Sequence, residues 1–555
     1  MFDYVIVGGG SAGCVLAARL SEDPSVTVCL LESGPADTSP LIHTPVGALA
    51  LVPRKHLNWA YETVPQPALN GRRGYQPRGK VLGGSSSINA MIYLRGHRWD
   101  YDHWAALGNS GWSYDEVLPY FRRAENNERG ADLYHGSGGP LNVADLRSPS
   151  PVGEMFIDAA RECGIPYNPD FNGAEQEGAG PYQVTQKNGE RCSAARAFLK
   201  PALARPNLRV LTEAHTIRVV FDGVCACGVE YLHAGRRQTV HARREVILSA
   251  GAFGSPQLLM LSGIGPADHL RELGIPVLHH LPGVGRNLQD HPDFIFINRS
   301  SSLDTFGISP RFTARLWREW RKYQTQRRGM LTSNFAEAGA FIKSGPHQPI
   351  PDLQIHFVVG MVEDHARKLL LGHGYSGHVC LLRPKSRGQV RLVSTNSLDA
   401  PLIDLNLLGD NDDLQAMVRA FRITREIMRA PALAAVRGKE LHSAGVESDD
   451  EIRALLRQRV DCIYHPVGTC RMGSDADAVV DDQLRVHGVS GLRVVDASIM
   501  PTLIGGNTNA PTIMIGEKAA DMIRAACNLP HTQDFADAAI REPYAARPSP
   551  VAAAG

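Results

Sequence analysis

The chain has 555 residues, 43% of them apolar and 21% charged, and Lys+Arg 58 against Asp+Glu 57 leaves a formal net charge of +1. That length exceeds what one hydrophobic core serves and implies two or more domains, while the balanced charge excludes the basic field by which a chain gathers nucleic acid. Apolar stretches such as Pro45–Pro53 are far too short for a membrane span, and the ten cysteines show neither C-x-x-C spacing nor a paired His cluster, so reduced thiols without metal or disulfide roles are expected.

At the N-terminus an apolar run, Tyr4 to Val7, leads into Gly8, Gly10 and Gly13 in G-x-G-x-x-G spacing. A helical pattern follows (Val15, Leu16, Arg19, Leu20), then a second apolar run, Val26 to Leu31, that ends on Glu32. These parts in this order make the βαβ dinucleotide fingerprint. Gly8 permits the tight turn, Gly10 lets backbone approach a pyrophosphate, and Gly13 lets the helix pack closely on the strand. The pyrophosphate sits on the unpaired N–H groups and positive dipole end of that helix, whose first turn holds Ser11 and Ala12. Glu32 is suited to accept hydrogen bonds from an adenosine ribose and to repel a 2′-phosphate, which favours FAD or NAD over NADP. Neither a positively charged leader nor a cleavage site stands ahead of residue 8, so a cytoplasmic protein without a secretory signal is expected.

Further along, 208–222 and 243–250 read as strands, and a Gly/Ser/Pro-dense segment, Gly251–Gly265, opens a helix. The region 296–454 mixes charged helices with strand-like runs at Leu353–Val359 and Gly388–Val393, and ends in a long helical pattern, Asp412–Met428. Within it Arg311–Arg328 carries seven basic residues and one acidic, Glu319, with Phe312, Leu316, Trp320 and Tyr323 at helical spacing and Trp317 beside them. Basic residues flanking an aromatic stripe suit a helix lying on an anionic membrane surface; the alternative is a stripe packed on the core with a solvated basic face. After Cys527 the chain turns Pro- and Ala-rich, and a disordered tail is expected over 528–555.

Further segments carry a family resemblance. Gly79-Lys80-Val81-Leu82-Gly83-Gly84-Ser85-Ser86-Ser87-Ile88-Asn89 resembles the first signature of the glucose–methanol–choline (GMC) flavin oxidoreductases, and Gly251 to Gly265 is similar to the second. Tyr464-His465-Pro466-Val467-Gly468-Thr469 and Gly505-Gly506-Asn507-Thr508-Asn509-Ala510-Pro511-Thr512 resemble the catalytic segments, and Val494-Val495-Asp496-Ala497-Ser498 a flavin-contacting strand end. Gln186–Arg191 and Leu382–Gly388 are most similar to the membrane-associated, alcohol-oxidising branch, with the choline-oxidising branch next. The resemblance implies an α/β fold: a discontinuous Rossmann-like FAD-binding domain and an α+β substrate-binding domain with an antiparallel sheet. The expected division is an FAD part over 1–295 with substrate-domain insertions around 150–190, a substrate domain over 296–454, and a second FAD part over 455–527. It further implies that FAD is held by Gly8, Gly10, Ser11, Ala12, Gly13, Glu32, Ser33, Trp59, Val81, Gly84, Ser85, Asn89, Ala90, Met91, Thr216, Asp496, Ala497, Asn507 and Asn509. Relatives that bind FAD covalently carry a histidine where this chain has Ile88, so non-covalent FAD is expected.

Oxidising an alcohol removes its hydroxyl proton and passes a hydride from carbon to an acceptor. A neutral His is suited to take the proton, an Asn N–H to hold the oxygen as charge develops, and FAD to accept the hydride. By resemblance His465 is the base and Asn507 its partner, with Asn509 the alternative to Asn507; from the residues alone, a packed core histidine and a polar turn remain open. Glu337 matches a place where choline-oxidising relatives carry a carboxylate, or is a buried structural acid. The implied activity is oxidation of a primary, medium-chain aliphatic alcohol to the aldehyde, with electrons passing to a quinone or other carrier, no nucleic-acid partner, and possible peripheral contact with the inner face of the cytoplasmic membrane. Choline dehydrogenase, an alcohol oxidase using O2, and a hydroxynitrile lyase with structural FAD are the alternatives.

Overall fold

The computed structural model describes residues 1–526, and the tail expected over 528–555 lies outside the described residues. Strand β1 (Phe2–Val7), helix α1 (Ser11–Leu20) and strand β2 (Val28–Leu31) form the expected βαβ unit, with β1 and β2 parallel from Tyr4 beside Val28 to Val7 beside Leu31. The unit closes tightly because position 13 has no side chain: a Cβ there would lie 1.9 Å from the Gly8 carbonyl oxygen. Apart from Asp3, whose carboxylate is bound by Thr27 and Arg243, both strands are apolar because the sheet is covered on both faces.

Leu208–Leu211 extends this sheet beyond β2, and Arg236–Leu248 extends it beyond β1. That 13-residue strand serves two neighbourhoods. Its C-terminal end runs parallel between β1 and Leu492–Val494, while its N-terminal half pairs antiparallel with Cys225–His233, which in turn pairs with His215–Asp222. Helix Asn509–Ala526 packs against α1, with Gly516 close to Ala12. At this seam the buried Glu517 carboxylate receives Arg19 Nη2 at 2.8 Å and Arg123 Nη2 at 2.7 Å, the latter from helix Tyr114–Ala124.

A second, antiparallel sheet runs in the order Glu440–Leu441, Pro292–Ser300, Gly372–Leu381, Leu353–Val358, Ala336–Ile342, Gly178–Pro181. Its strands thus come from 178–181 and 292–300 as well as from the 296–454 region, and Asp461–Cys462 adds to Pro292–Ser300. One face packs Phe294, Phe296, Ile355, Phe357 and Val379 against helices Pro151–Glu162, Asn411–Arg429 and Asp449–Arg459. Strand periodicity turns Gln354, His356, Val358 and His378 to the opposite face, where His356, Val358 and His378 line the cavity described below. Gln389–Arg391, within the strand-like run at 388–393, pairs with Leu402–Asp404 in a separate two-stranded ribbon.

Helix Pro310–Gln326 divides the aromatic stripe expected along it. Phe312 and Tyr323 are buried, the former against Phe306 and His373. Leu316, Trp317 and Trp320 are 39%, 60% and 51% exposed. The two ends anchor the helix to the protein and its middle stands out from it.

Glu517→Ala leaves the inward ends of Arg19 and Arg123 without their shared carboxylate, so it is expected to cost about 3 kcal/mol, read as a lower Tm. An unchanged Tm would show that water already screens the cluster.

Candidate active site at the end of a dinucleotide cavity

A cavity of about 400 Å³ runs between the two sheets, from the glycine-rich turn to His465. At the turn, the first intrahelical bond is Cys14 N–H to the Gly10 carbonyl (3.0 Å), so the N–H groups of Ser11, Ala12 and Gly13 have no partner within the helix. A Cβ on Gly10 would meet nothing nearer than the Ser249 carbonyl oxygen at 3.9 Å, so this backbone faces open cavity. An exposed helix N-terminus beside bare backbone fits a pyrophosphate.

Glu32 closes the adenosine end. Its Oε2 accepts the Gly9 N–H (2.9 Å) and its Oε1 the Gly34 N–H (2.8 Å), leaving lone pairs toward the cavity it lines. Burial pushes its carboxyl up to about 7, against the pull of those two bonds and of Lys80. Ser33, Trp59 and Thr216 wall this end, with Trp59 stacked on Tyr61 (5.6 Å) and the Lys80 ammonium over its ring (4.2 Å). The middle is walled by Gly84, Ser85, Asn89, Ala90 and Met91. Gly84, at φ +54°, lies so close to the turn that a Cβ on it would stand 2.7 Å from the Gly10 Cα. Asn89 Oδ1 accepts from Met91 N–H (3.0 Å) and from the buried Arg191 (2.8 Å). Asp496 binds the start of helix Gly251–Leu261, accepting Gly251 N–H (2.8 Å) and Ser255 Oγ–H (2.6 Å), and Ala497 lines the cavity beside it.

At the far end His465 Nε2 lies 3.1 Å from Asn507 Nδ2, and Asn507 Oδ1 accepts from Gln354 Nε2 (3.2 Å) and faces His356 Nε2 (3.4 Å). His465 Nδ1 lies 3.1 Å from His291 Nδ1, and His291 Nε2 is 3.1 Å from the Ile504 carbonyl. Asp290 Oδ1 accepts the backbone N–H groups of both His291 and His465 at 2.8 Å. Burial, reinforced by His291, His356 and Arg78, holds His465 well below the ordinary histidine range, so its ring is neutral. Tyr464, next to it, sits at φ +68°, and its carbonyl accepts Arg78 Nη2 (2.6 Å). Ile92, Phe335, Ala336, Val358, Val362 and Ile463 line the cavity as part of one apolar cluster.

The structure thus gathers into one cavity wall His465 and all the residues expected to hold FAD except Gly13 and Val81. Gly13 stands behind the turn, and Val81 is buried among Ile42, Leu51, Leu57 and Ile88. Asn507 and Asn509 part company: Asn507 meets His465, whereas Asn509 Oδ1 accepts from Ser11 Oγ (2.8 Å) at the start of α1. Glu337 is absent from the cavity wall. Its carboxylate is buried between Ser333 Oγ and the Ser150 N–H, both at 2.5 Å, the structural alternative of the two expected for it. Asp290, His291, Gln354 and His356 join the site without having been expected there from the sequence. The last two had a legible signal, polar side chains alternating with Leu353, Ile355 and Phe357 in a strand; Asp290 and His291 carried only the bare triplet Asp-His-Pro.

Gly10→Val fills the open backbone of the turn, so the variant is expected to fold with a wild-type far-UV spectrum and lose its bound dinucleotide; retention of cofactor at wild-type stoichiometry would refute the placement. Burial also pushes the Asp290 carboxyl up to about 7 from 3.8. The native state therefore holds a proton that the unfolded chain releases, and this group withdraws stability as pH rises from about 4 to about 7. Asp290→Asn keeps an amide oxygen for the two N–H groups and cannot ionise. Its Tm relative to wild type is expected to rise between pH 5 and pH 8, and a pH-independent difference would contradict the assignment.

Comparison with known proteins agrees with this architecture. The GMC oxidoreductase family pattern matches residues 2–293 in its N-terminal part and 384–516 in its C-terminal part. The chain is 51% identical over 527 residues to alcohol dehydrogenase [acceptor] of Pseudomonas putida, covering 94% of this chain and 96% of that one. It is 46% identical over 536 residues to the mitochondrial choline dehydrogenase of Mus musculus, covering 94% and 89%. Among solved structures, pyridoxine 4-oxidase from Mesorbium loti superposes with a TM-score of 0.85 at 35% identity, covering 96% of this chain and all of that one. With the two halves of the family pattern together covering most of the chain and holding both the glycine-rich turn and the His465–Asn507 pair, the chain belongs to the GMC oxidoreductase family and is an FAD-dependent oxidoreductase.

Proposed function

We propose that the protein oxidises a primary, medium-chain aliphatic alcohol to the aldehyde, with His465 as base and Asn507 as hydrogen-bond donor, and passes the electrons to a quinone-type acceptor. The observation that carries this reading is the His465 Nε2–Asn507 Nδ2 pair, 3.1 Å apart, at the end of a cavity whose nearby wall is aliphatic and aromatic. Asn507 Oδ1 is occupied by Gln354 and faces His356, so its Nδ2 donates toward His465 and Nε2 carries the lone pair. An alcohol hydroxyl entering between the two donates its proton to Nε2 and keeps the Asn507 N–H as it gains charge. FAD, when bound, supplies the acceptor for the hydride that leaves the carbinol carbon. The apolar wall orients the alkyl tail and excludes water. Ile88 on the cavity wall offers no nucleophile for a covalent link, which supports non-covalent FAD.

The similarity to choline dehydrogenase gives a second reading. Against it, the acidic residues lining the cavity are Glu32, at the adenosine end, and Asp496, whose Oδ2 accepts Gly251 N–H and Ser255 Oγ–H; neither contacts His465 or Asn507. A quaternary ammonium gains no carboxylate partner from them. No helix among the described residues is long and apolar enough to cross a membrane. Helix Pro310–Gln326 supports peripheral contact instead: Leu316, Trp317 and Trp320 project outward beside exposed Arg318, Arg321 and Lys322. Ile308, paired with Gly372, and Leu371 next in sequence extend the exposed apolar surface.

Anaerobic mixing with 1-octanol is expected to bleach the flavin, and choline to leave it oxidised; the reverse result would move the assignment to choline. His465→Ala is expected to slow bleaching by about 10²–10⁴-fold while retaining FAD. Sedimentation with phosphatidylglycerol vesicles is expected to pull down the wild type, and the Trp317→Ala/Trp320→Ala pair to weaken binding by about tenfold or more. Equal binding to phosphatidylcholine vesicles, or none to either, would remove the membrane contact.

A further inference from the structure

His291 has no role in the reaction so far described, yet it touches the base. Its ring is wholly buried. The chemistry of its two contacts is decided from one end. The Ile504 carbonyl can only accept, so His291 Nε2, 3.1 Å away, carries a proton. Burial holds His291 down at about 3, so the ring is neutral and its Nδ1 is a bare lone pair. His465 Nδ1, 3.1 Å from that lone pair, must then be the donor. A neutral His465 protonated at Nδ1 has its lone pair at Nε2, the atom that faces Asn507 and the cavity. The Asn507 amide, oriented by Gln354, requires the same tautomer, although the two chains of contacts share no group except His465.

The opposite tautomer fails at both ends. Protonated at Nε2, His465 would turn an N–H toward the Asn507 N–H at 3.1 Å, and its Nδ1 lone pair toward the His291 lone pair at 3.1 Å. Two buried hydrogen bonds would become two repulsions. Asp290 keeps this geometry in register by accepting the backbone N–H groups of both histidines on one oxygen.

We propose that His291 is a positioning residue which, anchored on the Ile504 carbonyl, selects the tautomer of His465 that exposes a basic Nε2 to the alcohol. This rests on the reading of His465 as base. The alcohol O–H bond breaks, its proton joins Nε2, and the resulting imidazolium retains its Nδ1–H, still donated to His291. No proton leaves the pair during the step. A histidine here does the orienting task for which other catalytic histidines use a carboxylate, without adding negative charge.

The test uses the FAD-loaded protein. His291→Ala removes the acceptor, whereas His291→Asn places an amide oxygen close to the former Nδ1. Anaerobic bleaching by 1-octanol is expected to slow by about 100-fold or more in His291→Ala at little changed KM, and to recover to within about tenfold of wild type in His291→Asn. On unaltered protein labelled with 15N-histidine, the His465 ring, assigned by its loss in His465→Gln, is expected to show a protonated Nδ1 and a bare Nε2. A protonated Nε2 in the wild type overturns the proposal, as does His291→Ala bleaching at the wild-type rate. If His291→Ala does not fold, the wild-type tautomer and the His291→Asn rate decide it. If no alcohol bleaches the wild type, the proposed function fails, and the nitrogen spectrum still judges the tautomer by itself.

Discussion

The catalytic end hangs on one buried carboxylate oxygen. Asp290 Oδ1 takes the peptide N–H groups of His291 and His465, residues 174 apart in the chain, at 2.8 Å each. A bond to a peptide N–H fixes backbone, so the two imidazoles are set before their own side chains make any contact. The arrangement is costly. Asp290 is buried, and the neighbouring Tyr464 is held in the left-handed region, a conformation that costs about 1–2 kcal/mol for a bulky residue. Arg78 offsets part of this by binding the Tyr464 carbonyl and drawing the Asp290 carboxyl down against its burial. Strain beside a reactive side chain is tolerated where the surroundings over-determine it, and here carboxylate, guanidinium and two rings do so.

The two sheets contribute unlike things to the cavity between them. The first is parallel around β1 and delivers a helix end, whose N–H groups need an anion and no particular side chain. The second is antiparallel and delivers a row of side chains. Because its strands alternate, Ile355 and Phe357 fill the core while Gln354 and His356, between and beside them, reach Asn507. A slip of one residue would exchange the two sets. The same apolar packing that stabilises the second sheet therefore fixes the polar row, and a separate device to aim it is unnecessary.

What the sequence disclosed follows from how local each feature is. The glycine-rich turn is a contiguous backbone requirement, and its strand, helix and Glu32 fall where the spacing places them. His465 and Asn507 were legible through motif resemblance, and the fold joins them across 42 residues. Asp290 and His291 were not, because nothing local to an Asp-His-Pro triplet says that a second histidine will arrive from the far end of the chain. Val81 and Glu337 show the limit of a motif position, which guarantees proximity and not direction: one side chain points into a small apolar cluster, and the other takes the structural alternative expected for it, bound by Ser333 and the Ser150 N–H. The helix at 310–326 divides the aromatic stripe, because 17 residues are long enough for ends buried on the protein and an outward middle.

The electrostatics of the catalytic end bear on the order of events. His465, His291, His356, Asn507 and Gln354 are the polar groups in contact there, and burial keeps each of the three histidines below its ordinary range. In the proposed reaction His465 would be a base always free to accept, and a weak one. It would hold the alcohol's proton only while the negative charge left on oxygen stays close, since among the described residues no carboxylate touches its ring to stabilise the imidazolium. Asn507, donating to that oxygen, keeps the two charges adjacent, and the dry apolar wall strengthens their attraction. Proton loss without departure of the hydride therefore gains little, because separating the charges is opposed on both sides. Once the hydride has gone, the oxygen is a neutral carbonyl, the imidazolium has lost its counter-charge, and the depressed pKa that made the base weak now returns the proton to solvent.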